Sequence, residues 1–405
     1  MMQNKNQNRG HNSSYGIQNR AHNKSFGIQK LTKSIAGFIR KETVLSVAAI
    51  LAVVSAFAVP PDKAYLGYID FRTLAILFCL MTVVAGFSQQ GIFDMIAKSM
   101  INRMGSLRAV TFVLVFMCFF FSMFITNDVS LITFVPMTLT VLGMAGEEVL
   151  ARWMVPVITL QTIAANLGSM LTPIGNPQNL YLYGLAGMNA GEFVMLMLPY
   201  TIVSGALLVI WLCVCMKGRN MSLEIRLTGR ASNVDKRLVI IYSILFALSL
   251  LTVARLVPYF ITFAVVLIVI LVCQRRLLLK VDYSLIFTFI GFFVFIGNMG
   301  RIGGFRTFIE NVLGGHEMIT SVLASQVISN VPAAVLLSGF TDRFADLIVG
   351  TNLGGLGTLI ASMASLISFK YVARQDKGAR GRYLAYFTFA NVVFLAVLAA
   401  ASVLL

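Results

Sequence analysis

Apolar stretches recur along the chain, many of them long enough to cross ~30 Å of hydrocarbon as a helix of roughly 18–23 residues. They fall at about 43–60, 72–90, 109–125, 131–144, 154–166, 179–183 joined with 193–216, 238–254, 256–273, 283–299, 319–341, 354–369 and 383–405. They do not alternate apolar with polar residues, which argues against a membrane β-barrel. The pattern predicts an all-α polytopic membrane protein. Three stretches, 131–144, 154–166 and 354–369, are too short to cross alone. Each borders a cluster of Asn, Gly, Ser and Thr embedded in apolar sequence. Irregular backbone at membrane depth survives only where protein buries it or where it lines a wet cavity. The clusters therefore predict re-entrant hairpins and broken helices around a site.

The polar clusters come in pairs. In the first half a span ends at Gly86, an amphipathic stretch 91–108 follows, and hairpin 109–144 carries Thr126-Asn127-Asp128-Val129-Ser130 at its tip. Further on runs Asn166-Leu167-Gly168-Ser169-Met170-Leu171-Thr172-Pro173-Ile174-Gly175-Asn176-Pro177-Gln178-Asn179. In the second half a span ends at Gly297, a stretch 300–318 follows, and hairpin 319–341 carries Ser329-Asn330-Val331-Pro332. The second run extends from Asn352 through Gly354 to Ser362. With the N-terminus inside, segments 1–42, 91–108, 145–152, 217–237, 275–280 and 370–382 face the cytoplasm and hold 26 of the 32 Lys and Arg. That map opens the first hairpin inward and the second outward and leaves the C-terminus outside. It predicts two inverted repeats with about eleven passes: 43–216, then a basic cytoplasmic linker 217–237, then 238–405. Secondary transporters build midplane sites from discontinuous helices in this way.

Composition agrees: 58% of the 405 residues are hydrophobic and 12% charged, against about a quarter charged in soluble domains. The net charge of +16 resides between apolar spans, where it sets topology rather than binding nucleic acid. All five Cys lie within apolar runs, the three His are scattered, and no metal-ligand spacing or nucleophilic triad appears. The chain therefore reads as a non-enzyme needing no cofactor, and without a Walker-type loop it is not an ATP-driven pump by itself. Residues 1–42 are polar and basic and duplicate His11–Gln18 as His22–Gln29. Gly and Asn in each copy predict a disordered cytoplasmic tail.

Broken helices expose N-terminal ends, which suit anions, while unwound carbonyls and C-terminal ends suit a cation. Candidate substrate- and ion-binding residues are Thr126, Asn127, Asp128, Ser130, Thr172, Gly175, Asn176, Pro177, Ser329, Asn330, Val331, Asn352, Gly354 and Ser362. Asp128 is the one acid the map places at bilayer depth, where an ionisable residue is functional by default; its other reading is a helix cap. Single Ser, Thr and Gly residues serve close helix packing as readily as ligand binding.

At Thr126-Asn127-Asp128, Thr172–Asn179 and Ser329-Asn330-Val331-Pro332 the chain resembles the ion transporter superfamily. That superfamily includes citrate and dicarboxylate permeases, sodium symporters of divalent anions, arsenite permeases and some sodium/proton antiporters. The dicarboxylate symporters carry Ser-Asn-Thr at both tips; the Thr-Asn-Asp tip followed by Pro136 is more similar to arsenite permeases. The resemblance implies a homodimer in the bacterial or archaeal cell membrane, with a fixed scaffold and a mobile transport region working as an elevator. It implies that Asn127 and Asn330 contact substrate or a coupling ion, and that sodium sits near Thr126, Asn127 and Gly175. The expected activity is cation-coupled transport of a small anion, a di- or tricarboxylate such as citrate, with sodium or protons as coupling ion. Arsenite or antimonite efflux and sodium/proton antiport are the alternatives.

Overall fold

A computed structural model describes residues 42–217 and 234–404, together with Gly37 and Met221. The duplicated tail and most of linker 217–237 lie outside the described residues. Within them the chain is all-α and polytopic. The first half contains α1 (Thr43–Ala58), α2 (Tyr65–Tyr68), α3 (Phe71–Gln89), α4 (Ile92–Ile101), α5 (Leu107–Ile125), α6 (Asn127–Met144), α7 (Glu147–Ser169), α8 (Pro177–Ala186) and α9 (Ala190–Cys215). The second contains α10 (Lys236–Val253), α11 (Tyr259–Gln274), α12 (Tyr283–Gly300), α13 (Gly303–Leu313), α14 (Glu317–Ile328), α15 (Asn330–Ser338), α16 (Phe344–Leu353), α17 (Met363–Gln375) and α18 (Ala379–Ala401). Among the described residues, eight helices are long and apolar enough to cross a membrane.

Local chemistry sets many boundaries. Asp70 and Asp282 cap α3 and α12 by accepting hydrogen bonds from the N–H groups of Thr73 and Leu285, at 3.0 and 3.1 Å. Asn189 and Glu192 form a capping box at the start of α9. Gly187, at φ 69°, ends α8. This turn corrects the reading of 179–183 joined with 193–216 as one span, because the left-handed glycine and the capping box stop one helix and start another. The stretch 131–144 is also not too short: it is the later part of the 18-residue α6, whose first turn holds the polar tip residues. Likewise 154–166 is the middle of the 23-residue α7, which starts at Glu147 and Glu148. Apolar counting registers the middles of these helices and misses their polar ends. The stretch 354–369 is not a span at all; 354–362 is a non-helical crossover and the helix resumes at Met363.

The halves repeat in detail. The crossovers Asn166–Asn176 and Asn352–Ser362 align without a gap, sharing Asn166/Asn352, Leu167/Leu353, Gly168/Gly354, Thr172/Thr358 and Ile174/Ile360. In the periphery α3 packs against α10 and α11, and α12 packs against α1. A tyrosine ring lies against a glycine near the end of both α3 and α12. An added Cβ at Gly86 would be 2.8 Å from the Tyr242 ring, and one at Gly297 would be 2.2 Å from Tyr68.

The inner elements interlock. Both arms of the first hairpin, α5 and α6, pack along α7, and both arms of the second, α14 and α15, pack along α16. The second piece of each broken helix crosses over: α8 packs on α15 and α16, and α17 packs on α6 and α7. Glycine permits the closest approach. A Cβ on Gly168 would stand 1.9 Å from the Phe119 carbonyl oxygen, and one on Gly350 2.0 Å from Ser321 Oγ.

Met195 and Met197 divide as position on α9 dictates, the former exposed and the latter buried. The five cysteines are free thiols.

Gly168→Ala should therefore lower stability by about 1–3 kcal/mol through overpacking, despite the helix propensity of alanine. Gly205→Ala, whose Cβ would meet only Phe119 Cζ at 3.7 Å, should be neutral or slightly stabilising. Thermal unfolding in detergent compares the two.

Candidate functional site

The two hairpin tips share one unusual backbone conformation. Thr126 has φ 72°, ψ 155° and Ser329 has φ 74°, ψ 155°, a region that is essentially restricted to glycine and costs about 1–3 kcal/mol for other residues. It turns the chain sharply enough for the second arm to begin at once. The next residue is Asn in both. Asn127 Oδ1 accepts from the Asp128 N–H and Asn330 Oδ1 from the Val331 N–H, each at 2.9 Å.

The tips face the crossovers through asparagines. Asn166 Oδ1 accepts from Asn127 Nδ2 and from Ser362 Oγ, both at 3.0 Å. This one side chain joins the first tip, the end of α7 and the start of α17. Its repeat mate Asn352 donates to Asn179 Oδ1 at 2.6 Å and accepts from Asn176 Nδ2 at 3.5 Å. Asn176 Nδ2 also donates to Ser169 Oγ at 2.7 Å. The second tip closes differently: the Asn330 N–H donates to the Ala361 carbonyl at 3.0 Å. Gln326 secures the second crossover, its Nε2 donating to the carbonyls of Gly354 and Leu356 at 3.0 and 2.9 Å.

Six of the fourteen residues singled out in the sequence thus meet in one buried network: Asn127, Asn176, Asn352 and Ser362 directly, with Ser329 and Asn330 against Ala361. Thr172 ties the first crossover to the hairpin through the Met123 carbonyl. Gly175 permits close approach, since a Cβ there would lie 2.0 Å from the Ser169 carbonyl oxygen; a Cβ on Gly354 would crowd Ser325 Oγ at 2.7 Å. Ser130 turns to its own hairpin, donating to the Cys118 carbonyl at 3.3 Å. Val331 is buried and contributes its N–H alone. Sequence reasoning misses Asn166 and Asn179, although Asn166 links the first tip to the start of α17. The signal that could have found it is the repeat itself, Asn166 matching Asn352.

Four helices, α6, α8, α15 and α17, start at these tips and crossovers, and none has a side-chain cap. The N–H groups of Gln178 and Asn179 on α8 and of Met363 and Ala364 on α17 find no acceptor among the described residues. The start of α15 is fully used, since its third residue is Pro332. Several buried polar atoms are also unpartnered, among them Asp128 Oδ1, Asn176 Oδ1 and both polar atoms of Gln178.

A cavity of about 350 Å³ adjoins the first tip. One wall is α3 with Leu77, Leu80 and Val84; the other is the hairpin, the first crossover and the start of α8, with Thr126, Asp128, Val129, Ile132, Ile174 and Pro177. Asp282 and Lys280 complete it. Asp282 is a second acid in the cavity that sequence reasoning misses, because it looks like an ordinary helix cap. Among the described residues no group of His, Cys, Asp or Glu could hold a metal ion.

If the tip turns carry the strain their angles imply, Thr126→Gly should raise thermal stability by about 1 kcal/mol while reducing transport, because the tip loses its fixed geometry. A melting curve and an uptake assay on the same preparation check both halves.

Residues 34–364 match the family model described as citrate transporter. An uncharacterized transporter of Methanocaldococcus jannaschii is 33% identical over 305 residues, covering 75% of this chain and 81% of the relative. The inner membrane protein YbiR of Escherichia coli is 29% identical over 321 residues, covering 78% and 83%. A 46 kDa membrane protein of Mycobacterium leprae is 22% identical over 338 residues, covering 74% and 78%. The chain is a membrane transporter and belongs to the citrate transporter family.

Proposed function

We propose that the protein is a cation-coupled secondary transporter of a small anion of the di- or tricarboxylate class, such as citrate. The observation that carries this reading is the pair of uncapped helix N-termini, α8 and α17, which begin at the two buried crossovers, with unpartnered side-chain amides at α8 and the carboxylate of Asp128 at the neighbouring hairpin tip. Free N–H groups and the positive ends of helix dipoles attract a carboxylate. Asp128 provides the negative group for the coupling cation, sodium or a proton. Coupling follows from charge: an anion at the helix ends and a cation at Asp128 offset each other, so the loaded site crosses the membrane at a lower electrostatic cost than a half-loaded one.

The cavity supports an elevator cycle. Its walls belong to the peripheral α3 on one side and the interlocked hairpin unit on the other, and they are largely apolar, which suits surfaces that slide. Lys280 and Gln89 at this cavity lie at the end that the positive-inside rule assigns to the cytoplasm, so this is an inward-open arrangement with the N-terminus inside and the C-terminus outside. A homodimer would hold the periphery fixed while the inner unit moves. A second reading, sodium/proton antiport, is favoured by one feature: the cavity contains two acids, Asp128 and Asp282, and Lys280 is the one basic residue lining it.

Uptake of labelled citrate, succinate, sulfate and arsenite into proteoliposomes, with and without sodium and a pH gradient, tests the assignment. Citrate or succinate accumulation driven by either gradient is expected; sodium/proton exchange without any anion flux would establish the antiport reading instead. Asn127→Ala and Asn330→Ala should each abolish uptake at near-normal expression, since truncation leaves buried partners unpaired at about 1–3 kcal/mol each. Wild-type rates in both would place the site elsewhere.

Asp128→Asn separates coupling from capping. The amide keeps the shape and hydrogen-bonding capacity but cannot hold a cation by charge. Gradient-driven accumulation should be lost while anion exchange persists, or half-maximal uptake should require more sodium. An unchanged accumulation ratio and sodium dependence would reduce Asp128 to a helix cap, a role asparagine fills about as well.

A further inference from the structure

Apolar side chains cover much of the outside of the chain, as a hydrocarbon surrounding requires, so exposure alone marks no site. One stretch differs in shape. α5 carries Phe112, Phe116 and Phe120 four residues apart, on one face of the helix. Phe112 and Phe116 stack with ring centroids 6.4 Å apart, and Phe116 meets Phe120 at 5.9 Å. Along this stripe runs a groove of about 330 Å³, which Val113, Met117, Phe121 and Met100, from the end of α4, also line. A second hollow of about 340 Å³ continues it from Phe112 to Ser106, Arg108 and Cys213, where α5 starts and α9 ends.

The head of this groove is cationic. Arg108 is half-buried, and its guanidinium lies 5.9 Å from the centroid of the Phe112 ring. Among the described residues its side chain makes one hydrogen bond, from Nη2 to Cys213 Sγ at 3.5 Å, and sulfur is a weak acceptor. No carboxylate among the described residues pairs with it. Most of the five donors of the guanidinium therefore face no strong acceptor. Its position adds to the imbalance. Arg108 is the second residue of α5, whose first turn contains no acid, and the positive end of a helix dipole disfavours a cation there. Lys217, just past the end of α9, is exposed and adds a further positive charge.

We infer that this groove binds an anionic phospholipid, with the headgroup phosphate on Arg108 and one acyl chain along Phe112, Phe116 and Phe120. The site goes beyond the transport reading and does not depend on which substrate is carried. Length favours this occupant. Twelve residues of helix, from Arg108 to Phe120, rise about 18 Å, and one leaflet takes about half of the ~30 Å hydrocarbon core. An acyl chain whose phosphate sits at Arg108 therefore follows the phenylalanines through the depth of its own leaflet. Charge favours it as well. A phosphate accepts two parallel hydrogen bonds from a guanidinium, and its charge offsets the cation at the start of α5. The positive-inside rule assigns this end of α5 to the cytoplasmic leaflet, whose anionic lipids attract basic groups. A free phosphate would satisfy Arg108 but leave the apolar groove unfilled.

The test titrates the purified full chain in detergent with dioleoyl phosphatidylglycerol, dioleoyl phosphatidylcholine and glycerol 3-phosphate, the last being a phosphate headgroup without chains. Native mass spectrometry counts bound lipid and reports the oligomeric state, and thermal shift ranks the affinities. The wild type should hold phosphatidylglycerol at least roughly tenfold more tightly than phosphatidylcholine and should not respond to glycerol 3-phosphate. Arg108→Gln should erase the preference between the two lipids. Val113→Trp, which fills the groove and leaves Arg108 in place, should remove the tightly held lipid. Equal binding of both lipids by the wild type, or an Arg108→Gln variant that keeps the preference, reduces the groove to ordinary lipid contact and overturns the inference. Stabilisation by glycerol 3-phosphate as large as that by phosphatidylglycerol overturns it in favour of a free-phosphate site. A Val113→Trp variant that keeps its lipid but loses a dimer present in the wild type gives the groove to a second copy of the chain and overturns it too. Should either variant not fold, the wild-type comparison of the two lipids decides by itself.

Discussion

A helix that begins in the interior of a membrane protein has no water to take up its free N–H groups. The chain must provide acceptors, or leave the end open for something that arrives. Here the choice differs from end to end. At the hairpin tips, Asn127 and Asn330 fold back on the following N–H, and proline and the Ala361 carbonyl complete the satisfaction of α15. At the crossovers, α8 and α17 begin without side-chain caps. The remaining architecture serves this arrangement: the glycines that let α7 and α16 press into their hairpins, the left-handed tip residues that start the second arms abruptly, and the asparagines that hold tips to crossovers.

The same network explains why neutral amides dominate the site. Asparagine gives and takes hydrogen bonds without bringing a charge into a low-dielectric interior, where a buried charge is expensive unless paired. Asn166 serves three elements from one side chain because its oxygen accepts twice. Charge is confined to Asp128 and to the cavity between the inner unit and α3, where a mobile ion can reach it.

Much of this is legible in the residues. The alternation of long apolar runs with Asn/Gly/Ser/Thr clusters predicts broken helices, and it places each tip within a short polar cluster because a polar group at bilayer depth must be buried by protein or serve a site. What is not legible follows from what hydropathy measures. It registers the middle of a helix and overlooks a polar first turn, so it underestimates the lengths of α6 and α7. It cannot see a three-residue turn between two apolar helices, so it fuses α8 with α9. Asn166 escapes notice because its importance lies in partners 39 and 196 residues away. Asp282 is hidden because a capping aspartate and a cavity-lining aspartate are the same residue until the helices are packed.

The crossing of the broken helices has a consequence for how the molecule is made. The second piece of the first broken helix, α8, packs most on α15 and α16 of the second repeat, about 150 residues later in synthesis by the chain numbering. Until they emerge, α8 has chiefly α3 and its own crossover to pack against, and an unsatisfied helix end is costly in lipid. The first repeat alone therefore leaves the face of α8 that meets the second hairpin uncovered. The network of tips and crossovers is complete only when both repeats are in place, because Asn176, Asn179 and Asn166 of the first repeat bond to Asn352 and Ser362 of the second.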